Sequence, residues 1–174
     1  NYLQQAGIGT LLLDLLTEAE EQIDLRTGEY RFDIPLLARR LVMATDWAAA
    51  DDQLSSFPLG YFGASTGAAA ALVAAVERPD RISAIVSRGG RPDLAGPALA
   101  QVQAPTLLIV GGADELVLEL NRQALAELPG RKQLEVVPGA THLFEEPGKL
   151  EEVARLARHW FQSCFSAAAD APHG

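Results

Sequence analysis

The sequence predicts an α/β fold, a three-layer sandwich in which a mostly parallel sheet carries helices on both faces. Three observations carry that expectation. Apolar runs of strand length alternate with segments of helix length along nearly the whole chain. The strand candidates are continuous apolar runs, the pattern of strands buried on both faces. The 174 residues are 48% hydrophobic, enough for one domain with a real core, which sets aside disorder and small disulfide-stapled scaffolds.

Taken in order, Tyr2–Ala6 reads as the tail of a helix stopped by Gly7, and Ile8–Leu16 (IGTLLLDLL) as a buried strand. Thr17–Tyr30 is polar and acidic with a turn at Thr27-Gly28, so a surface loop is expected. A helix follows from about Ile34 to Leu54, where Leu37, Leu41, Ala44 and Ala48 keep one stripe. Phe57–Phe62 is a short strand. Ala68–Glu77 is a helix rich enough in Ala to lie close against a sheet, stopped by Arg78-Pro79-Asp80. Arg81–Ser87 and Thr106–Val110 are the next strands. Pro92, Gly96 and Pro97 leave room for one short helix between them. Glu115–Leu128 is a helix closed by Pro129-Gly130, Gln133–Val137 a strand, and Leu150–Phe165 a final amphipathic helix on which Trp160 and Phe161 serve core or interface. The domain is expected over residues 1–165, with Ser166–Gly174 a flexible tail of mainly small residues.

Charge narrows the function. A formal charge of −9 gives no basic footprint for nucleic acid or an anionic membrane, and no apolar run reaches membrane length. The single Cys164 forms no internal disulfide, which points to a reducing, cytoplasmic compartment. The three His and one Cys lack metal spacing, so neither metal nor cofactor is expected.

Chemistry is concentrated in Gly63-Ala64-Ser65-Thr66-Gly67, between an expected strand and an expected helix. Gly-x-Ser-x-Gly in that context describes a nucleophile elbow, a strained turn that pushes the serine hydroxyl out at the carboxyl end of the sheet. Glycines two before and two after are expected because a Cβ there would collide with neighbouring backbone. Ser65 would sit at a helix N-terminus, with the Thr66 N–H as one donor to a developing oxyanion. The bland alternative is a tight turn in which a serine merely fits. A dinucleotide turn fits poorly, because the glycines fall at 60, 63 and 67 and the following strand ends in Ser87-Arg88 rather than an acid.

A serine nucleophile needs a base, and the base an orienting acid, in the chain order Ser, acid, His. His142 lies in a loop after the last strand, whereas His159 falls within the final helix and His173 in the tail. Asp114 follows a strand and a double glycine that would let its carboxylate turn toward the imidazole; its competing reading is a helix N-cap. Asp93 is the rival acid, and Glu145 and Glu146 stand too close to His142 to be the first choice.

These stretches, GYFGASTGAAAAL (60–72), RISAIVSRGGRPDL (81–94), APTLLIVGGADELV (104–117) and VVPGATHLFEEPG (136–148), resemble the α/β-hydrolase superfamily, in particular its dienelactone-hydrolase-like branch. The resemblance runs from Ile8 to Phe161 and implies the triad Ser65, Asp114, His142. It also implies a small-molecule ester substrate and, in some relatives, fusion to a phosphoribosyltransferase-like domain. Two departures stand out. The best-known dienelactone hydrolases carry Cys where this chain has Ser65, which favours ordinary esters or thioesters. Only Arg88–Ala104 occupies the place where many relatives insert a lid. Arg88 and Arg91, beyond a strand's carboxyl end, are candidates to meet a substrate carboxylate, against a plain role as solvated loop cations.

Three functions fit these residues: a serine hydrolase, an acyltransferase using the same triad, and a non-catalytic binding module on the same fold. In this fold a central strand and the loop after it, which supplies the second oxyanion donor, precede the first helix. The chain opens on Asn1 rather than Met and shows neither piece, so roughly 30–60 further residues are expected upstream. Failing that, Ile8–Leu16 would pair directly with Phe57–Phe62.

Overall fold

The computed structural model describes residues 2–169 and contains one sheet of four parallel strands in the order β1-β2-β3-β4. These are β1 (Leu59–Ala64), β2 (Ile82–Arg88), β3 (Thr106–Gly111) and β4 (Lys132–Val137). Every residue of β3 is buried, as a continuous apolar run requires of a central strand covered on both sides. The register pairs Ala64 with Arg88, Arg88 with Ile109, and Gly111 with Val137, so the carboxyl ends of all four strands lie along one edge.

The helices are α1 (Tyr2–Gln5), α2 (Glu18–Thr27), α3 (Ile34–Ala50), α4 (Thr66–Glu77), α5 (Glu115–Glu127) and α6 (Lys149–Ala169), with a 3₁₀ stretch at Pro92–Gln101 kinked at Gly96. On one face α3, α4, the 3₁₀ stretch and α5 pack over Tyr61, Ile85 and Leu108. The α4 face can come close because Ala68, Ala69, Ala70 and Ala74 are wholly buried and present only methyl groups. On the other face α6 sets Val153, Ala157, Trp160 and Phe161 against Val86, Leu107 and Ile109, so the two aromatic side chains belong to the core. Burying each of these large side chains contributes about 1.5–3 kcal/mol.

Four expectations are corrected. Residues 8–14 form no strand: Leu11, Leu12 and Leu13 are 65%, 93% and 45% exposed, and β1 pairs only with β2. Apolar length does not make a strand without a ladder to join. Instead Ile8 packs on the α6 side and Leu15 and Leu16 on the α3 side, so the chain between them crosses from one face of the sheet to the other. Thr17–Tyr30 is not a loop but holds α2. Thr17 and Glu20 form a capping box, with the Glu20 N–H donating to Thr17 Oγ1 at 3.3 Å and the Thr17 N–H to Glu20 Oε2 at 2.8 Å. Arg40 reaches from α3 to Glu20 and to the Leu15 carbonyl, both at 2.6 Å, and ties this helix down in place of an apolar stripe. Third, β1 starts two residues later than expected, because Phe57 is exposed and its segment still turns. Last, α6 continues to Ala169, so the expected tail is helical over its first four positions; residues 170–174 lie outside the described residues. Among the described residues no helix is long and apolar enough to cross a membrane.

Candidate active site

Ser65 joins β1 to α4 with φ 51° and ψ −125°, a backbone conformation that side-chain-bearing residues rarely adopt. The cause is local. At Gly63 an added Cβ would lie 2.6 Å from the Gly67 carbonyl oxygen and 2.7 Å from the Ala68 backbone, so strand and helix meet almost in contact and the residue between them takes the sharp turn. The matching expectation for Gly67 is corrected: nothing lies within 4 Å of a Cβ built there. The Ser65 hydroxyl has no hydrogen-bond partner among the described residues, and no side chain caps the first N–H groups of α4, of which Thr66 is the first.

His142 and Asp114 are brought together: His142 Nδ1 lies 2.7 Å from Asp114 Oδ2. A carboxylate only accepts, so Nδ1 is the donor, the tautomer that in a neutral ring leaves the Nε2 lone pair facing away from Asp114. Asp114 occupies the N-cap position of α5, but its side chain makes no capping bond; the carboxylate is committed to the imidazole. Two loops are stitched together to achieve this. The Gly112 N–H donates to the Val137 carbonyl at 2.9 Å and the Ala113 N–H to the Ala140 carbonyl at 3.0 Å. A Cβ on Gly111 would stand 2.3 Å from the Ala140 oxygen, so only glycine admits that approach.

The loop after β2 links this pair to Ser65. The Arg91 N–H donates to the Ser65 carbonyl at 3.0 Å. A Cβ on Gly89 would meet the His142 carbonyl at 3.0 Å and His142 Nδ1 at 3.6 Å. Asn121, fully buried on α5, holds the loop's centre by donating to the Gly90 carbonyl at 3.0 Å. Neither Asn121 nor the Thr141–Glu146 contact described below was signalled by a motif; the only trace of Asn121 in the sequence is a polar residue on the buried face of an otherwise amphipathic helix.

The remaining candidates separate. Asp93 is paired with Arg91 through two hydrogen bonds of 2.9 and 2.8 Å, which removes it as the acid for His142 and Arg91 as a free cation. That pairing raises the Arg91 pKa further. Arg88 is the last residue of β2 rather than a solvated loop residue; it is half-buried, and its Nε has no partner among the described residues. His159 lies on the exposed side of α6, and His173 lies outside the described residues. A hollow of about 410 Å³ opens at the start of α4, with Thr66 and Gly67 in its wall beside Leu15, Leu16 and Leu37 and the charged Asp14, Glu18, Glu21 and Arg31. A larger open hollow, about 640 Å³, runs between Tyr2 and the polar side of α6 and includes none of the candidate residues.

Comparison with known proteins shows the family and the fold. The family model described as the dienelactone hydrolase family matches residues 17–167. A dienelactone hydrolase from Anabaena variabilis superposes with a TM-score of 0.91 at 59% identity, covering 94% of this chain and 76% of that one. A dienelactone hydrolase-like promiscuous phosphotriesterase from metagenomic libraries shares the fold, with a TM-score of 0.73 at 19% identity. A Mycobacterium tuberculosis protein provisionally named a phosphoribosyl transferase is 61% identical over 159 residues, 91% of this chain. The chain spans only 35% of that relative's length.

Proposed function

The chain belongs to the dienelactone hydrolase family, and from that premise we propose that it is a serine hydrolase cleaving small carboxylic esters or thioesters through an acyl-enzyme. The observation that carries the reading is the strained turn at Ser65 standing one short loop away from a formed Asp114–His142 pair. In this reading Ser65 Oγ attacks the acyl carbonyl while His142 Nε2 takes its proton and then gives it to the leaving group. Asp114 holds the imidazole's tautomer and stabilises the imidazolium, and the Thr66 N–H receives the developing oxyanion. Water, activated by the same His142, then attacks the acyl-enzyme and releases the acid.

The hollow beside Thr66 is our candidate for the substrate's place, with Leu15, Leu16 and Leu37 on its wall alongside the charged Asp14, Glu18, Glu21 and Arg31. Arg88, with an unpaired buried Nε at the carboxyl end of β2, is our candidate for a substrate carboxylate or carbonyl. We place the protein in the cytoplasm on the ground of its single free, buried thiol. The partial match to the longer M. tuberculosis relative supports work beside a phosphoribosyltransferase-like domain.

Labelling with a fluorophosphonate probe tests the reading. The expected result is one adduct per chain, lost in Ser65→Ala. No adduct on the native chain would turn the assignment toward a non-catalytic binding module, and equal labelling of the variant would overturn Ser65 as the nucleophile. With labelling established, p-nitrophenyl esters of increasing acyl length size the pocket, and an added acceptor alcohol or amine separates acyl transfer from hydrolysis.

A further inference from the structure

His142 is 43% exposed, and among the described residues its side chain is held by a single hydrogen bond, from Nδ1 to Asp114. One bond at one end of a ring fixes a distance but leaves the ring free to pivot, so the backbone beneath it must supply the rest of the orientation. That backbone is bracketed on both sides. Two residues after His142, Phe144 is fully buried with φ 57°, its ring against Gly89. Immediately before His142, Thr141 donates twice to the same atom, its N–H at 3.0 Å and its hydroxyl at 2.6 Å to Glu146 Oε1.

We propose that Glu146 is a positioning residue for the reaction, a carboxylate clamp on Thr141 that fixes the loop carrying His142. The proposal rests on the Ser65–His142–Asp114 reading. Glu146 is not a second acid for His142, since that place is filled by Asp114 and its own oxygen is occupied by Thr141. Glu146 Oε2 is shut off from solvent with no partner among the described residues, and a buried unpaired carboxylate oxygen is unfavourable in itself. The ionised group does gain stronger acceptance, because hydrogen bonds to a charged oxygen are shorter and roughly twice as strong as neutral ones. The Thr141 hydroxyl correspondingly holds the Glu146 carboxyl below its usual range. Phe144 and Glu146 thus secure the residues around an imidazole that itself must stay exposed to reach substrate.

The test uses the full chain with p-nitrophenyl acetate, comparing Glu146→Ala, Glu146→Gln, Thr141→Val and Ser65→Ala. Glu146→Ala is expected to lower kcat by about 10²-fold with KM little changed, since a displacement near 1 Å in a catalytic group costs on that order. Glu146→Gln keeps a carbonyl oxygen for Thr141 and restores most of the loss; Thr141→Val, which keeps the N–H contact, falls between. A second readout is the downfield Nδ1 proton of His142, identified by its absence in Asp114→Asn. It is expected to persist in Glu146→Gln and to broaden into exchange with water in Glu146→Ala. Native kcat in Glu146→Ala alongside an inactive Ser65→Ala overturns the clamp and leaves the triad standing. Full activity in Ser65→Ala overturns the triad, and the proton signal alone then decides, its persistence in Glu146→Ala refuting the clamp. If Glu146→Ala does not fold, a Glu146→Gln and Thr141→Val pair indistinguishable from native in kcat and proton signal refutes it equally.

Discussion

Replacing Ser65 with Gly should make the protein more stable while abolishing its activity. At φ 51° and ψ −125° a residue bearing a Cβ carries about 1–3 kcal/mol of backbone strain, which glycine does not. Against this, glycine loses more chain entropy on folding, about 0.4–1 kcal/mol. The hydroxyl adds little to the balance, since it has no hydrogen-bond partner among the described residues. The difference favours Gly by roughly 0.5–2 kcal/mol, and at about 2–4 °C per kcal/mol for a chain of this size Tm should rise by roughly 1–8 °C. Ser65→Ala is the control, because it removes the same hydroxyl but keeps the strained Cβ. Thermal and urea unfolding of the three proteins measure the effect, with Gly expected above both Ala and native. If Ser65→Gly melts at or below Ser65→Ala, the turn is not strained and the argument from Gly63 contact to elbow geometry fails.

Asp114→Asn should leave the fold intact and lower kcat by about 10³–10⁴-fold, because an amide in that position favours the wrong imidazole tautomer; steady-state ester hydrolysis with circular dichroism checks both halves. Gly90→Ala should destabilise by about 1–3 kcal/mol in urea unfolding, since its Cβ would fall 2.6 Å from the buried Ala68 methyl and 2.0 Å from Ser87 Oγ. Glu20 is held down to about 2, first by its hydrogen bonds from Arg40, below an ordinary value of 4.5. Its stabilising contribution is therefore present above pH 4.5 and fades as pH falls toward 2, so Glu20→Gln should flatten that limb of the stability curve. A native and variant acid limb of equal slope would refute it.

The parts of the fold visible in the sequence were those governed by local rules. Continuous apolar runs marked the two central strands β2 and β3, because strands covered on both faces need no alternation, whereas β1 alternates in burial and the edge strand β4 keeps Lys132 and Gln133 at the surface. The spacing of Gly63, Ser65 and Gly67 located the turn, although only Gly63 is crowded enough to demand glycine. Asp114 and His142 followed from chain order, and their contact is a 28-residue closure that no local pattern contains. Where packing decided, the reading failed. Ile8–Leu16 has a strand's composition but no neighbour with which to pair. Helix α2 has almost no buried face and is held by charge, so a search for an apolar stripe passed over it; the Thr17–Glu20 capping signature was present all the same. Asn121 and Glu146 act through backbone atoms of distant or turned segments, and nothing in their immediate sequence announces such partners.

The unequal covering of the sheet has a consequence for synthesis. The helices on the α3–α5 side are interleaved with the strands, so that side can close as the chain leaves the ribosome. On the α6 side, among the described residues, Val86, Leu107, Ile109 and Val137 are covered by α6, which follows all four strands, with Leu3 and Ile8 packed in the same cluster. Until α6 emerges these four side chains lack its cover, and exposed apolar sheet surface is what chaperones hold and what drives misassembly. The loop bearing His142 runs directly into α6 and is anchored by Phe144 in the same cluster. Closure of this core and fixing of the His142 loop are therefore coupled through Phe144 and α6.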